Sequence, residues 1–262
     1  MIEITSKDNP LLKTIRRLSQ DPSAYRKQGR VWLEGDHLCR AALDRGVKPL
    51  QVVVTPSVWN STPLAWRDVC EQVFVVPDAL FQTLSSLESP AQMGFVLDYA
   101  AEQQIQSGQP TVVLDRVQDA GNVGAILRSA SAFGFKQVVA MRGTAALWSA
   151  KVLRAGMGAH FGMNLIEAAA PGLLAQLALP LLTTSSHQGP FLHELLAQQR
   201  LPAASVWIMG HEGQGVCEEI MAMAQMRVRI AQPGGEESLN VASAAAICLH
   251  ASASAALLSV PQ

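Results

Sequence analysis

Three short stretches hold the residues best suited to chemistry. The first, DRVQDAGNVGAILR over 115–128, follows the apolar run TVVLD. Gly121 permits a tight turn, and Asn122 is expected to cap the helix that follows. Val123, Ile126, Ala130 and Phe133 form one apolar stripe on that helix. Arg128 then lies about 140° around the axis from Val123. A cation so placed at a strand end suits an anionic or polar ligand. On these residues alone a plain surface arginine is the commoner reading. The stretch has no GxGxxG, so a dinucleotide-binding fingerprint is not indicated.

The second stretch, GHEGQG over 210–215, follows the run SVWIM. Three glycines in six residues mark a sharp bend or a close backbone approach. Glu212 among them could accept hydrogen bonds from a ligand amine or hydroxyl, or be incidental to a strand-to-helix turn. His211 alone reads as a surface or capping residue. The third stretch, IAQPGGEESLN over 230–240, follows MRVRI. Pro233, Gly234 and Gly235 force an irregular backbone, and Ser238 is expected to start the last helix. Ser238 and Asn240 put short polar side chains beside the glycine turn. Each stretch alone is weak evidence; their order and spacing together form a strong pattern.

The elements that must carry these stretches alternate. Strand runs are expected at Thr111–Asp115, Gln137–Met141, Met163–Ile166, Leu181–Thr184, Ser205–Met209 and Met226–Ile230. Helices are expected at Asn122–Gly134 and Ser149–Met157. Short, continuously apolar strands between helices imply a parallel sheet covered on both faces. Such sheets bind ligands at the carboxyl ends of their strands. A polar break, AEQQIQSGQP over 101–110, precedes this part and suits a linker. Before it lie helical signals at Asn9–Ser19 and Glu34–Asp44, and strand signals at Gln51–Thr55, Val73–Val76 and Met93–Tyr99. The expected division is a small α/β domain over 1–105 and a larger α/β domain over 106–262.

The 262 residues are 49% hydrophobic and 16% charged, which excludes a disordered chain. The formal net charge of −1 excludes a uniformly basic nucleic-acid binder. The first 50 residues nevertheless carry ten Lys and Arg against six Asp and Glu. A basic stretch of this kind can contact phosphate backbones, although a solvated helix face has the same composition. Cys39, Cys70, Cys217 and Cys248 form no CxxC pair, so neither a disulfide framework nor a metal site is indicated. No signal peptide is apparent, and a reducing cytoplasm fits. The Ala-rich stretch Val241–Ser259 is expected to be a buried, small-faced helix and not a membrane span.

The motifs N-x-G-A-I-x-R-x-A (122–130), G-x-E-G-x-G (210–215) and I-x(7)-S-L-N-V-A (230–242) resemble the SpoU (TrmH-like) class of SPOUT RNA methyltransferases. The stretch V-W-L-E-G-x-H-L-C-x-A-A-L (31–43) resembles the small domain, of the ribosomal-protein-L30e type, that precedes the catalytic domain in many members. The resemblance implies a parallel-sheet α/β domain with a C-terminal trefoil knot. It implies S-adenosylmethionine-dependent 2′-O-methylation of ribose in structured RNA, with 23S-type ribosomal RNA favoured by the N-terminal domain. It also implies a homodimer through the SPOUT domain.

Carried over by position, the resemblance makes Asn122, Arg128, Glu212, Ser238 and Asn240 the catalytic set. Thr183, Ser185, Gly189, Gly210, Glu212, Gly213, Ile230, Gly235, Ser238 and Leu239 become the cofactor contacts. Lys7, Lys13, Arg16, Arg17, Arg26, Lys27 and Arg30 are the candidates for RNA phosphates, and no metal is implied. Two features depart from the family pattern. Ala231 and Gln232 stand between Ile230 and Pro233, with the spacing from Ile230 to Leu239 kept. Glu236 and Glu237 add negative charge where RNA must enter. The alternatives are a transfer-RNA ribose methyltransferase, a knotted enzyme acting on a base nitrogen, and a non-catalytic RNA-binding ribosome-assembly protein. The intact five-residue set argues against the last, and the Ser-Leu-Asn motif favours ribose chemistry.

Overall fold

The computed structural model describes residues 1–61, 69–99, 103–235 and 238–258. By contacts, the chain forms two compact units. The first comprises Met1–Ala101 with Trp148–Phe161, and the second Glu102–Leu147 with Gly162–Gln262.

The first unit is built on a five-stranded mixed sheet. Its strands are β1 (Ile2–Glu3), β2 (Arg30–Glu34), β3 (Gln51–Val54), β4 (Val73–Val75) and β5 (Met93–Asp98), in the order β1-β4-β3-β5-β2. Helices α1 (Pro10–Gln20) and α3 (Asp36–Asp44) cover it, with short α2 (Ala24–Gln28), α4 (Pro56–Ser61) and α5 (Asp78–Gln82) between strands. Helix α1 follows its apolar spacing and buries Leu12, Ile15 and Leu18. Asn9 caps it, its side chain accepting from Leu11 N at 2.9 Å. Residues 30–34 form an edge strand where sequence patterning signals only a helix from Glu34. Gly35, at φ +105°, ends that strand before α3 begins. Helix α7 (Ala150–Gly156) belongs to this unit although sequence assigns it to the second domain. The physical reason is packing: Trp148 meets the Tyr99 ring at 6.2 Å, and Gly158 sits against Ala41 too closely for a β-carbon.

The second unit has a six-stranded, wholly parallel sheet. It contains β6 (Thr111–Asp115), β7 (Gln137–Met141), β8 (Asn164–Ala169), β9 (Leu181–Thr184), β10 (Val206–Gly210) and β11 (Met226–Val228), in the order β11-β9-β10-β6-β7-β8. All five residues of β6 and of β7 are buried, as continuous apolar runs predict for a sheet covered on both faces. Around it lie α6 (Ala120–Ala132), α8 (Leu192–Ala197), α9 (Glu218–Met223) and α10 (Val241–Leu258). Helix α10 packs on α6 and β10. It buries Ala245, Cys248, Leu249, Ala251, Ser252 and Ala255. The fully buried Trp207 of β10 donates its indole N–H to Ser252 Oγ at 2.8 Å, which satisfies both groups.

Two caps differ from expectation. Asp119, not Asn122, caps α6, its Oδ1 accepting from Asn122 N at 2.8 Å. Asn240, not Ser238, caps α10, its Oδ1 accepting from Ala242 N and Ser243 N at 2.9 and 3.2 Å. In both places a better-placed Asx side chain takes the first free N–H groups. On α6, Val123, Ile126 and Ala130 are buried, whereas Phe133 is half-buried against His250.

Candidate active site

The parallel strands β9, β10 and β11 deliver three loops to their carboxyl ends. Thr184 to Ser186, His211 to Val216, and Ile230, Gln232, Ser238 and Leu239 line one cavity of about 420 Å³. A second, of about 300 Å³, adjoins it and reaches Gly210, Asn240 and Val241. The lining mixes hydroxyls and amides with the apolar Val216, Met221, Ile230, Leu239 and Ala244. At Gly210 the chain doubles back so tightly that a β-carbon would lie 2.3 Å from Gly215 C and Val216 N, so only glycine fits. Reciprocal backbone bonds between His211 and Gly215, at 3.1 and 2.8 Å, close the base of that loop. His211 Nδ1 accepts from Gly213 N and Gln214 N at 3.0 and 3.2 Å. A ring nitrogen that accepts carries no proton, so the N–H of the neutral ring is on Nε2.

The carboxylate of Glu212 reaches across to the first motif. It accepts from Gln118 N, Asp119 N and Asn122 Nδ2 at 3.2, 3.1 and 3.1 Å. Asn122 Oδ1 in turn accepts from Asn240 Nδ2 at 3.0 Å. The polarity of this chain is forced at both ends. Glu212 can only accept, so the Asn122 amide nitrogen must face it; Asn240 Oδ1 is committed to helix N–H groups, so its nitrogen must face Asn122. Desolvation pushes the Glu212 carboxyl up, but the Asn122 and backbone donors outweigh it and hold the group at about 2. Three residues from three motifs are thus one hydrogen-bonded unit. In this unit Glu212 binds the protein's own donors, where sequence suggested a ligand's.

Arg128 behaves differently. It lies on the exposed side of α6, off the buried face, and its side chain makes no hydrogen bond or ion pair among the described residues. Ser238 lines both cavities, as does Leu239, which is 40% exposed despite its apolar side chain.

Of the expected cofactor contacts, Ser185, Gly210, Glu212, Gly213, Ile230, Ser238 and Leu239 line the cavities. Thr183 does not: it is fully buried in β9, and its neighbour Thr184 takes the lining position. Gly189 is outside the lining. Its φ is +100°, and a β-carbon there would lie 1.9 Å from Arg227 O, so it serves the packing of its loop on the sheet edge. Gly235, at φ +80°, shapes the turn without lining the cavity. Glu236 and Glu237 lie outside the described residues.

Residues that sequence reasoning passed over complete the site. Buried Asp115 accepts from Arg116 Nε and Nη2 and from Cys217 N. Arg116 reaches Gln214 and Gly215. Gln232 lines the cavity with a buried Oε1 that has no hydrogen-bond partner among the described residues. The signal for Asp115 and Arg116 was available, since one ends a strand beside the first motif and the other follows it directly.

The seven basic candidates of the first unit divide into two groups. Lys13 pairs with Asp8 at 3.0 Å, Arg30 pairs with Asp98, and Arg16 donates to Thr83 O and Oγ1 at 3.2 and 3.1 Å. Arg26 lies 5.1 Å from the centroid of the Tyr25 ring. Lys7, Arg17 and Lys27 are exposed, and their side chains make no hydrogen bond or close ion pair among the described residues. Lys13, Arg17 and Arg30 also line a groove of about 570 Å³.

Comparison with known proteins gives a consistent answer. A model of the SpoU rRNA Methylase family matches residues 109–250, and one of the MRM3-like substrate binding domain matches residues 9–94. The chain is 27% identical to the 23S rRNA (guanosine(2553)-2'-O)-methyltransferase RlmP of Bacillus subtilis, over 95% of this chain and 98% of that one. It is 31% identical to an uncharacterized tRNA/rRNA methyltransferase of Synechocystis, over 94% and 92% of the two chains. Among solved structures, an AdoMet-bound rRNA methyltransferase from Sinorhizobium meliloti aligns with a TM-score of 0.77 and 27% identity, over 95% of this chain and 96% of that one.

Proposed function

The chain belongs to the SpoU rRNA methylase family, and from that membership we propose that it methylates a ribose 2′-hydroxyl of 23S-type ribosomal RNA, using S-adenosylmethionine. The observation that carries the reading is the joining of three motifs around one cavity by the Asn240–Asn122–Glu212 chain. The cavity suits an adenosyl ligand: Ile230, Leu239 and Ala244 offer apolar walls, Ser185 and Ser238 offer hydroxyls, and Gln232 offers a buried acceptor without a partner among the described residues. When bound, S-adenosylmethionine supplies a methyl group activated by the positive charge of its sulfonium.

The chain's own residues then have two tasks. Asn122, Glu212 and Asn240 hold the loops in register, so that the reactants meet in a fixed geometry. Arg128 faces the RNA, where its fork holds the phosphate beside the target and stabilises charge developing on the 2′-oxygen. A guanidinium does not release its proton near neutral pH, which weighs against Arg128 as the base.

The same reading includes a cytoplasmic homodimer with the family's trefoil knot, the first unit acting as the RNA-binding domain. Support for the dimer comes from α10. Its 18 residues carry no charge, and Ile247, Leu257 and Leu258 are exposed. Support for the knot comes from three successive loops, after β9, β10 and β11, that surround one cavity.

The test is to incubate the protein with methyl-labelled S-adenosylmethionine and unmodified total RNA, separate ribosomal from transfer RNA, and digest to nucleosides. Label is expected in a 2′-O-methylnucleoside from the ribosomal fraction. Label on a base, or confined to transfer RNA, would overturn the corresponding part of the reading. Cofactor binding without any label would favour the non-catalytic alternative.

A further inference from the structure

The geometry points to Arg116 as a positioning residue that latches the cofactor loop from its outer side, an inference that rests on the methyltransferase reading above. Arg116 has φ +60°, the left-handed region that a residue with a β-carbon seldom adopts. Residues held in such conformations need surroundings that fix them. Here the surroundings are specific. Arg116 N donates to Thr144 Oγ1 at 3.1 Å, and that hydroxyl donates to Leu114 O at 2.8 Å. Gly143 lies beneath the side chain, where a β-carbon would come within 3.3 Å of Arg116 Cγ.

The guanidinium then makes four bonds in two directions. Nε and Nη2 donate to Asp115 Oδ1 and Oδ2 at 3.0 and 3.2 Å. Nη1 donates to Gln214 Oε1 at 2.9 Å, and Nη2 donates to Gly215 O at 3.3 Å. Gln214 and Gly215 both line the cavity. Asp115 also accepts from Cys217 N at 2.7 Å, just beyond the loop. Glu212 therefore ties the loop to the first motif through one side, and Arg116 ties it to the end of β6 through the other. A glycine-rich loop is costly to order, and the latch meets that cost at folding, before any ligand binds. Lysine could not substitute, because a single ammonium lacks the planar fork that reaches Asp115 and the loop at once.

The test compares wild type with Arg116→Gly and Arg116→Lys. It uses thermal unfolding, calorimetric titration with S-adenosylhomocysteine, and steady-state methyl transfer with each substrate varied. Glycine adopts φ +60° without strain, which offsets part of the cost of leaving buried Asp115 without its cation, so Arg116→Gly is expected to melt only slightly below wild type. Its affinity for S-adenosylhomocysteine is expected to fall about tenfold or more, the loss of charge-assisted bonds to the loop. KM for S-adenosylmethionine should rise in step, with kcat at saturation within about threefold of wild type. Arg116→Lys should lose comparable affinity. Gln214→Ala should weaken binding in the wild type and add little in the Arg116→Gly background, since both act through one latch.

A lower melting temperature with unchanged affinity would make Arg116 an ordinary structural residue. A raised KM for RNA alone would make it an RNA contact. Either result overturns the latch while leaving the function intact. Failure of the wild type to bind S-adenosylhomocysteine would instead overturn the function.

Discussion

The glycine-loop end of the six-stranded sheet and the basic surface of the first unit are both rich in polar side chains, but they use them differently. At the loop end, Asn122, Glu212 and Asn240 satisfy one another, and Asp115 and Arg116 do the same from the other side. On the basic surface, Lys13, Arg16 and Arg30 hold direct side-chain partners, while Lys7, Arg17 and Lys27 make no side-chain hydrogen bond or close ion pair among the described residues and act on Asp8 or Asp21 only at longer range. Arg128 sits on the same helix as Asn122 yet behaves like the open group. Polar groups that bond to each other fix geometry, and groups left open are available to a partner. A motif treats the two kinds alike; the hydrogen-bond pattern separates them.

The largest expected effect tests the open side. Arg128→Ala should lower kcat by roughly 10²–10³-fold, the usual loss for a group that stabilises developing charge. Its melting temperature and its affinity for S-adenosylhomocysteine should stay at wild-type values. A fall in stability would move Arg128 into the fixed group.

Glu212→Gln tests the fixed side and should have the next largest effect. The new amide sets an N–H₂ against donors from Gln118, Asp119 or Asn122; Glu212 is exposed and water takes up part of the loss, so stability should fall by about 0.5–1 kcal/mol and cofactor affinity with it. The pH dependence supplies a second readout. The folded carboxyl sits at about 2, below its ordinary value of 4.5. A depressed carboxyl stabilises the fold above its unfolded pKa, and that contribution is lost as pH falls through the window from 4.5 towards 2. Urea unfolding across that range should show the loss in wild type and a flatter profile in Glu212→Gln.

The smallest effect separates the two groups of cations. Neutralising Lys7, Arg17 and Lys27 to Gln should make the slope of log affinity for RNA against log salt shallower by about 2–3. The matching change at Lys13, Arg16 and Arg30 should lower the melting temperature and move the slope less. Equal slopes for the two triples would erase the distinction.

Most of the second unit's sheet was legible in the sequence. The runs at 111–115, 137–141 and 181–184 match the strands because each has an apolar centre or half, with polar residues only at its ends. Residues 30–34 were not legible as a strand, because an edge strand next to a helix lacks that uniform signal. The cap positions were each missed by a few residues, since Asp119 and Asn240 compete with nearby Asn122 and Ser238 for the same role. At the site, the spacing of motifs identified the residues but not their partners. Glu212 meets Gln118 and Asp119 across more than 90 positions of chain, and no local pattern encodes that contact. The left-handed backbone of Arg116 was equally hidden, because arginine carries no local preference for it.

The most direct test of the division is to titrate S-adenosylhomocysteine into wild type, Arg128→Ala and Asn122→Ala side by side, with single-turnover methyl transfer on the same samples. Arg128→Ala is expected to bind within about twofold of wild type and transfer little, while Asn122→Ala is expected to lose about tenfold in binding because the chain from Asn240 to Glu212 is cut. Equal loss of binding in both variants, or normal binding by Asn122→Ala, would contradict the division.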